Sequence, residues 1–372
     1  MRSMRKRIII IFILLGLAFF VGIQLKGREK EVGLKIDKWD NLYNNKNISV
    51  YYDIEDKQLL NDLKNRFKIQ EITNGKTDEL DKSIDIINWI KNNMKYSKSI
   101  KPFEGNKGAF DILENKENKK EFSNKEICTV FNEFAIAAGI KSRIGELIVS
   151  NKEKVSDNDI FMVCEIWSDK YNKWIMIDPS NRIYITENNT PLSAIEVIKK
   201  GIDNLNIIEL NKNKSYKKQM KKYFYAYAIS IDNSIYSIKK SNSYLCFAKD
   251  MNERNIPSKA LLNSPTIFTN DEHLFNLSPK VEYKISKNDD KPTLIFSRKN
   301  NTNNKDVKLS FLGGVFKNSE MVDKYYISIN DGPFKEVNKY FDVDIKSGLN
   351  TIKLSQDGKI VSREVILEYS DK

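Results

Sequence analysis

Residues 8–25, IIIIFILLGLAFFVGIQL, run without a charge directly after the basic stretch MRSMRKR. At about 1.5 Å per residue, such a helix spans roughly 27 Å, just enough for the hydrocarbon core of a bilayer. No pair of small residues suited to signal-peptidase cleavage precedes Lys26, and no lipobox cysteine follows. The run therefore predicts an uncleaved signal anchor over residues 1–29, with a transmembrane helix at 8–25. The basic cluster stays cytoplasmic, so everything after Lys26 is expected on the extracytoplasmic side of the cell membrane.

That location bounds the chemistry. Three cysteines, Cys128, Cys164 and Cys246, are too few for a disulfide framework in an exported chain and leave room for one bridge. His273 is the sole histidine, which excludes a His-rich metal centre, and no cofactor is expected. The net charge of +12 reads as a Lys- and Asn-rich bias over solvated faces, or as a surface for an anionic envelope polymer or lipid headgroups. No Arg stripe or nucleic-acid module occurs, so nucleic acid is not an expected partner.

With 372 residues, 19 Phe and 17 Tyr, the chain holds enough apolar bulk for two or three domains. ISVYYDI (48–54) predicts a strand and KQLLNDLKNRF a helix. In DELDKSIDIINWIKNNMKY, Leu80, Ile84, Ile87, Ile90 and Met94 recur at helical spacing. SNKEICTVFNEFAIAAGIKSR predicts a helix with a Ser123/Glu126 capping box and a terminating Gly139. RIGELIV predicts a strand, as does SYLCFAK, and PLSAIEVIKKGI a helix. A further helix is expected from Tyr216 to Tyr227. After Pro279 the pattern turns to period two with NDG and QDG turns, which predicts a small antiparallel sandwich over 280–372.

Two features bear chemistry. Cys128 is expected near the N-terminal end of its helix, at the edge of the apolar stripe, where the helix dipole would favour thiolate; equally, it fits a small core residue. The stretch DIFMVCEIWSDKYNKWIMIDPSN reads as two strands and a turn. Strand alternation puts Phe161, Val163, Glu165 and Trp167 on one face and the apolar Met162, Cys164 and Ile166 on the other. Asp178 ends the second strand, where a carboxylate orients a base or Asp-Pro simply starts a turn.

A cysteine opening a helix that ends AAGIKSR, followed by FMVCEIWS and KWIMIDPS, resembles the transglutaminase-like core of bacterial cysteine enzymes, over roughly residues 78–200. The resemblance implies a papain-like α+β fold, with helices packed on an antiparallel sheet, and a Cys-His-Asp triad. The expected divisions are a transglutaminase-like domain at 30–279 and an immunoglobulin-like sandwich at 280–372. Carried over by position, Cys128 matches the nucleophile and Asp178 the orienting acid. The family's histidine stands four residues before a strand glutamate that matches Glu165, and that position holds Phe161. Phenylalanine neither takes the thiol proton nor protonates a leaving amine. Glu165 is an accessory candidate but a weak base for a thiol, and His273 is expected on an exposed loop.

The expected protein is thus a membrane-anchored, extracytoplasmic, catalytically degenerate module that binds a cell-envelope protein or glycan. The alternatives are an active cysteine protease or acyl transferase on peptide or isopeptide amides, using a non-standard base, and a spacer that merely displays its domains.

Overall fold

The computed structural model describes residues 33–48, 50, 57–101, 107–114, 121–151, 159–209, 215–231, 243–248, 256–280, 288–299 and 309–370. The apolar run at 8–25 and most of the strand expected at 48–54 lie outside them. Among the described residues no helix is long and apolar enough to cross a membrane.

A nine-stranded sheet forms the middle of the molecule. Its order is Thr266–Thr269, Tyr244–Ala248, Ala226–Ser230, Ser142–Ile148, Ile160–Ser168, Lys173–Asp178, Ile183–Glu187 and Thr190–Pro191, with Asn206–Glu209 also pairing with Ile183–Glu187. Neighbours are antiparallel except Tyr244–Ala248 and Thr266–Thr269, which run parallel. The helix expected through Tyr227 stops early. Tyr216–Met220 is helical, but Ala226–Ser230 is claimed by pairing with Ser142–Ile148 on one side and Tyr244–Ala248 on the other. The sheet therefore continues past residue 200 without a break.

One face of this sheet carries the helices Glu79–Asn93 and Asn124–Ala137. Asp78 caps Glu79–Asn93 by accepting from the Leu80 and Asp81 amides, and Leu80, Ile86, Ile87 and Ile90 are buried. Ile86 rather than Ile84 completes the inward stripe. The expected capping box starts Asn124–Ala137: the Ser123 amide donates to the Glu126 carboxylate at 2.8 Å, and the Ser123 hydroxyl accepts from the Glu126 amide at 3.3 Å. Gly139 ends that helix at φ +84°, a conformation that favours glycine. Ile127, Phe131 and Phe134 pack with Ile166, Ile175 and Ile177 of the sheet.

The C-terminal part is a two-sheet sandwich. One sheet has the order Gly33–Asp40, Val361–Ser370, Gly348–Ser355, Lys324–Ile329, Lys335–Asn338. The other joins Thr293–Arg298, Leu309–Lys317 and Glu320–Met321, with Phe341–Ile345 on Leu309–Lys317. Phe296, Phe311, Tyr325, Phe341 and Val365 fill the space between. Gly33–Asp40 corrects the expected boundary at residue 30. Leu34, Ile36 and Trp39 turn inward around a bulge between Ile36 and Lys38, so this segment is a sandwich strand on Val361–Ser370. Trp39 also meets Phe268 edge-on at 5.2 Å between ring centroids, tying the sandwich to the central sheet.

Candidate functional site

Strand alternation separates the expected partners. Cys164 and Ile166 face the helix Asn124–Ala137, while Phe161 and Val163 belong to the core on the opposite face. Counted from its cap, Cys128 is the fifth helical residue, one turn in from the helix end. It is 0% exposed. Its thiol donates to the Met162 carbonyl at 3.4 Å, and the Cys164 thiol donates to the Cys128 carbonyl at 3.5 Å. Burial pushes the Cys128 thiol well above its ordinary range, and the nearby Cys164 and Asp178 push the same way. The Asn124 amide opposes them less strongly. Cys128 thus sits inside the apolar stripe rather than at its edge. All three cysteines are free and buried.

Lys125 and Asn124 both line the open side, and Asn124 is the first residue of the helix. Its amide nitrogen donates to the Met162 carbonyl at 3.0 Å and to the Ser180 hydroxyl at 2.9 Å, and its oxygen accepts from the Met162 amide at 2.7 Å. Pairing between Ile160–Ser168 and Lys173–Asp178 begins only at Cys164 and Ile177. The Met162 backbone would otherwise lack a partner on that side, and Asn124 supplies one.

Asp178 is 0% exposed and also fully engaged. It accepts from the Asn181 backbone at 2.9 Å, the Asn181 side chain at 2.8 Å and the Tyr216 hydroxyl at 3.1 Å. Burial outweighs these bonds and pushes its carboxyl up to about 6. Asn181 and Tyr216 between them engage both carboxylate oxygens. Glu165 lies on the Phe161 face, as expected, yet is no base for the thiol. It is 1% exposed and paired with Arg143, whose Nε donates at 2.9 Å, and it accepts from the Ala194 amide at 2.9 Å. His273 is exposed on the short turn Glu272–Phe275. Among the described residues no cluster of three metal-ligating side chains exists.

A cleft of about 530 Å³ opens beside these elements. Asn124, Phe161, Met162, Tyr96 and Tyr223 line it, and Cys128 and Asp178 do not. Phe161 and Tyr223 form an aromatic wall with centroids 5.6 Å apart. Tyr96 connects wall and interior: burial raises its phenol, and Asp178, Tyr223 and Cys128 add to the effect. Glu146 also lines the cleft. Burial pushes its carboxyl up to about 7, against a hydrogen bond from Tyr244 and the nearby Lys125. Sequence reasoning missed Asn124 and Glu146. The capping box held the signal for Asn124, because counting from Ser123 puts Cys128 in the second turn. Glu146 left no signal in a strand that reads as ordinary alternation.

The Glu146 shift predicts a pH dependence. Folding raises this carboxyl from an ordinary 4.5 to about 7, so the folded state holds a proton that the unfolded chain releases. Stability from this group is fully present below about 4.5 and is lost as pH rises through about 7, for a total of roughly 3 kcal/mol. Glu146→Gln is uncharged throughout. Chemical unfolding at pH 5 and pH 8 should show a fall in wild type that is steeper by up to ~3 kcal/mol than in the variant. Asp178 contributes a fall of the same sign to both chains. Equal falls in wild type and variant would refute the assignment.

Residues 66–179 match the transglutaminase-like superfamily. No curated protein matches the chain. Among solved structures, "a putative protease from Parabacteroides distasonis ATCC 8503" is similar over 83% of this chain at 11% identity, with a TM-score of 0.26. This chain covers 50% of that one, and a likeness this loose carries no statement about fold or activity. The matched segment spans the helix Glu79–Asn93, the Cys128 helix, the Phe161 strand and Asp178, so these elements are the part of the chain similar to that superfamily.

Proposed function

We propose that this chain is a membrane-anchored, extracytoplasmic protein whose transglutaminase-like cleft binds a cell-envelope protein or glycan without turning it over. One observation carries the reading: the helix residues that reach the cleft are Asn124 and Lys125, and among the described residues no thiol lines it. An amide side chain is neither a nucleophile nor an acid near neutral pH. Phe161 in the same cleft supplies no base. The anchor is the apolar run at 8–25 behind its basic cluster. The C-terminal sandwich, immunoglobulin-like in this proposal, holds the core away from the bilayer.

The full chain, incubated with dimethylcasein and a fluorescent primary amine, or with a γ-glutamyl isopeptide, should give no product above a protein-free control. Turnover that disappears in a folded Cys128→Ser variant would establish the active cysteine enzyme instead. Protease added to spheroplasts should digest the domains; complete protection would contradict the topology.

A further inference from the structure

We propose that the cleft recognises a peptide segment in which an acidic side chain stands next to an apolar one. This rests on the binding function above and adds the class of ligand. Among the described residues three lysines, Lys98, Lys125 and Lys222, line the cleft with one acid, Glu146, a formal +2 when Glu146 is ionised. A concave surface with apolar walls focuses such a charge excess and draws in anions. Lys125 is partly buried, and that burial lowers its pKa, with Glu146 acting the other way. An incoming carboxylate would restore what burial takes from this ammonium. Lys222 reaches over the Tyr223 ring, 5.1 Å from its centroid, so a cation and the aromatic wall meet at one place.

The wall decides between two anionic partners. Phe161 and Tyr223 offer apolar surface beside the ammonium groups, which matches a peptide with an acidic and an apolar side chain. A polyol phosphate has the charge and lacks the apolar group. Glu146 competes with the ligand for Lys125. The groups around Glu146 are Lys125 from the Asn124–Ala137 helix and Tyr244 and Cys246 from the strand beyond Ala226–Ser230, with Lys98 and Lys222 also lining the cleft. Protonating Glu146 removes the competitor, so binding strengthens as pH falls from 8 to 6.

The probe is a bead-displayed library of random, N-acetylated hexapeptides lacking cysteine, exposed to the full chain. Selected sequences should be enriched in Asp or Glu beside an apolar residue by about threefold over the library. Lys98 and Lys222 are exposed, so a Lys98→Ala/Lys222→Ala chain keeps its fold, checked by its melting temperature. It should bind a selected peptide about tenfold more weakly. Replacing Glu by Gln in that peptide should have a similar effect. No selection, selection without acidic enrichment, unchanged affinity in the double variant, or tighter binding of poly(glycerol phosphate) would each overturn the proposal. Amide turnover with acidic peptides still selected would instead overturn only the non-catalytic reading, so the two failures are distinguishable.

Discussion

Arg143→Ala should destabilise the chain by about 3–5 kcal/mol, the cost of leaving a buried charge without its partner. Arg143 and Glu165 are each 1% exposed, and the pair lies between two adjacent strands at directly opposed positions. The guanidinium also donates to the Phe275 carbonyl at 2.7 Å and stacks on Trp174, 4.0 Å from its ring centroid. Glu165 holds the start of the helix Ala194–Lys200 through the Ala194 amide. Removing the guanidinium therefore strands a carboxylate and loosens two attached segments at once. Replacing both partners, as in Arg143→Met/Glu165→Leu, leaves no unpaired charge and should recover part of the loss. Denaturant unfolding of the three chains checks this. A loss under about 1 kcal/mol for Arg143→Ala would mean that the pair is neither as dry nor as central as its geometry indicates.

This pair also marks where sequence reasoning reached its limit. Period-two alternation put Glu165 on the Phe161 face, and it is there. Alternation does not say what covers a face, and here the cover is Arg143, a cross-strand neighbour whose pairing depends on register. The capping box at Ser123 and the left-handed Gly139 were legible because each is a local motif with its own geometry. The sandwich turns were legible for the same reason: Asn330 and Asp331 take positive φ in the NDG turn. Gly33–Asp40 was not legible as a sandwich strand, because its partner lies more than 300 residues along the chain, and no local signal reports such a contact. At the site, Phe161 lines the cleft beside Tyr223. The depth of Cys128 follows from the cap: as the fifth residue after Ser123 it lies in the second turn, inside the core.

Counting from the cap leads to the second large effect. A thiol introduced by Asn124→Cys would occupy the first helical position, beside Phe161 and open to the cleft. There the helix N-terminus favours thiolate and the reagent has access. It should alkylate at least about a hundredfold faster than Cys128, which needs a local opening of several kcal/mol before any reagent reaches it. Losing the Asn124 bonds to Met162 and Ser180 should cost about 1–3 kcal/mol, leaving the domain folded. Adding Phe161→His should move the reactivity of the introduced thiol to lower pH, because an imidazolium would stabilise the thiolate.

The most direct measurement is residue-resolved alkylation of the wild-type chain. Iodoacetamide is applied to the native protein from pH 6 to 8.5, and each cysteine peptide is quantified by mass spectrometry before and after denaturation. Cys128 should stay unlabelled across the whole range and label fully once unfolded, because it is 0% exposed and its thiol is held far above neutrality. The Asn124→Cys chain provides the positive control. Rapid native labelling of Cys128 at pH 6 would contradict the account, since it requires an activated thiolate that solvent can reach.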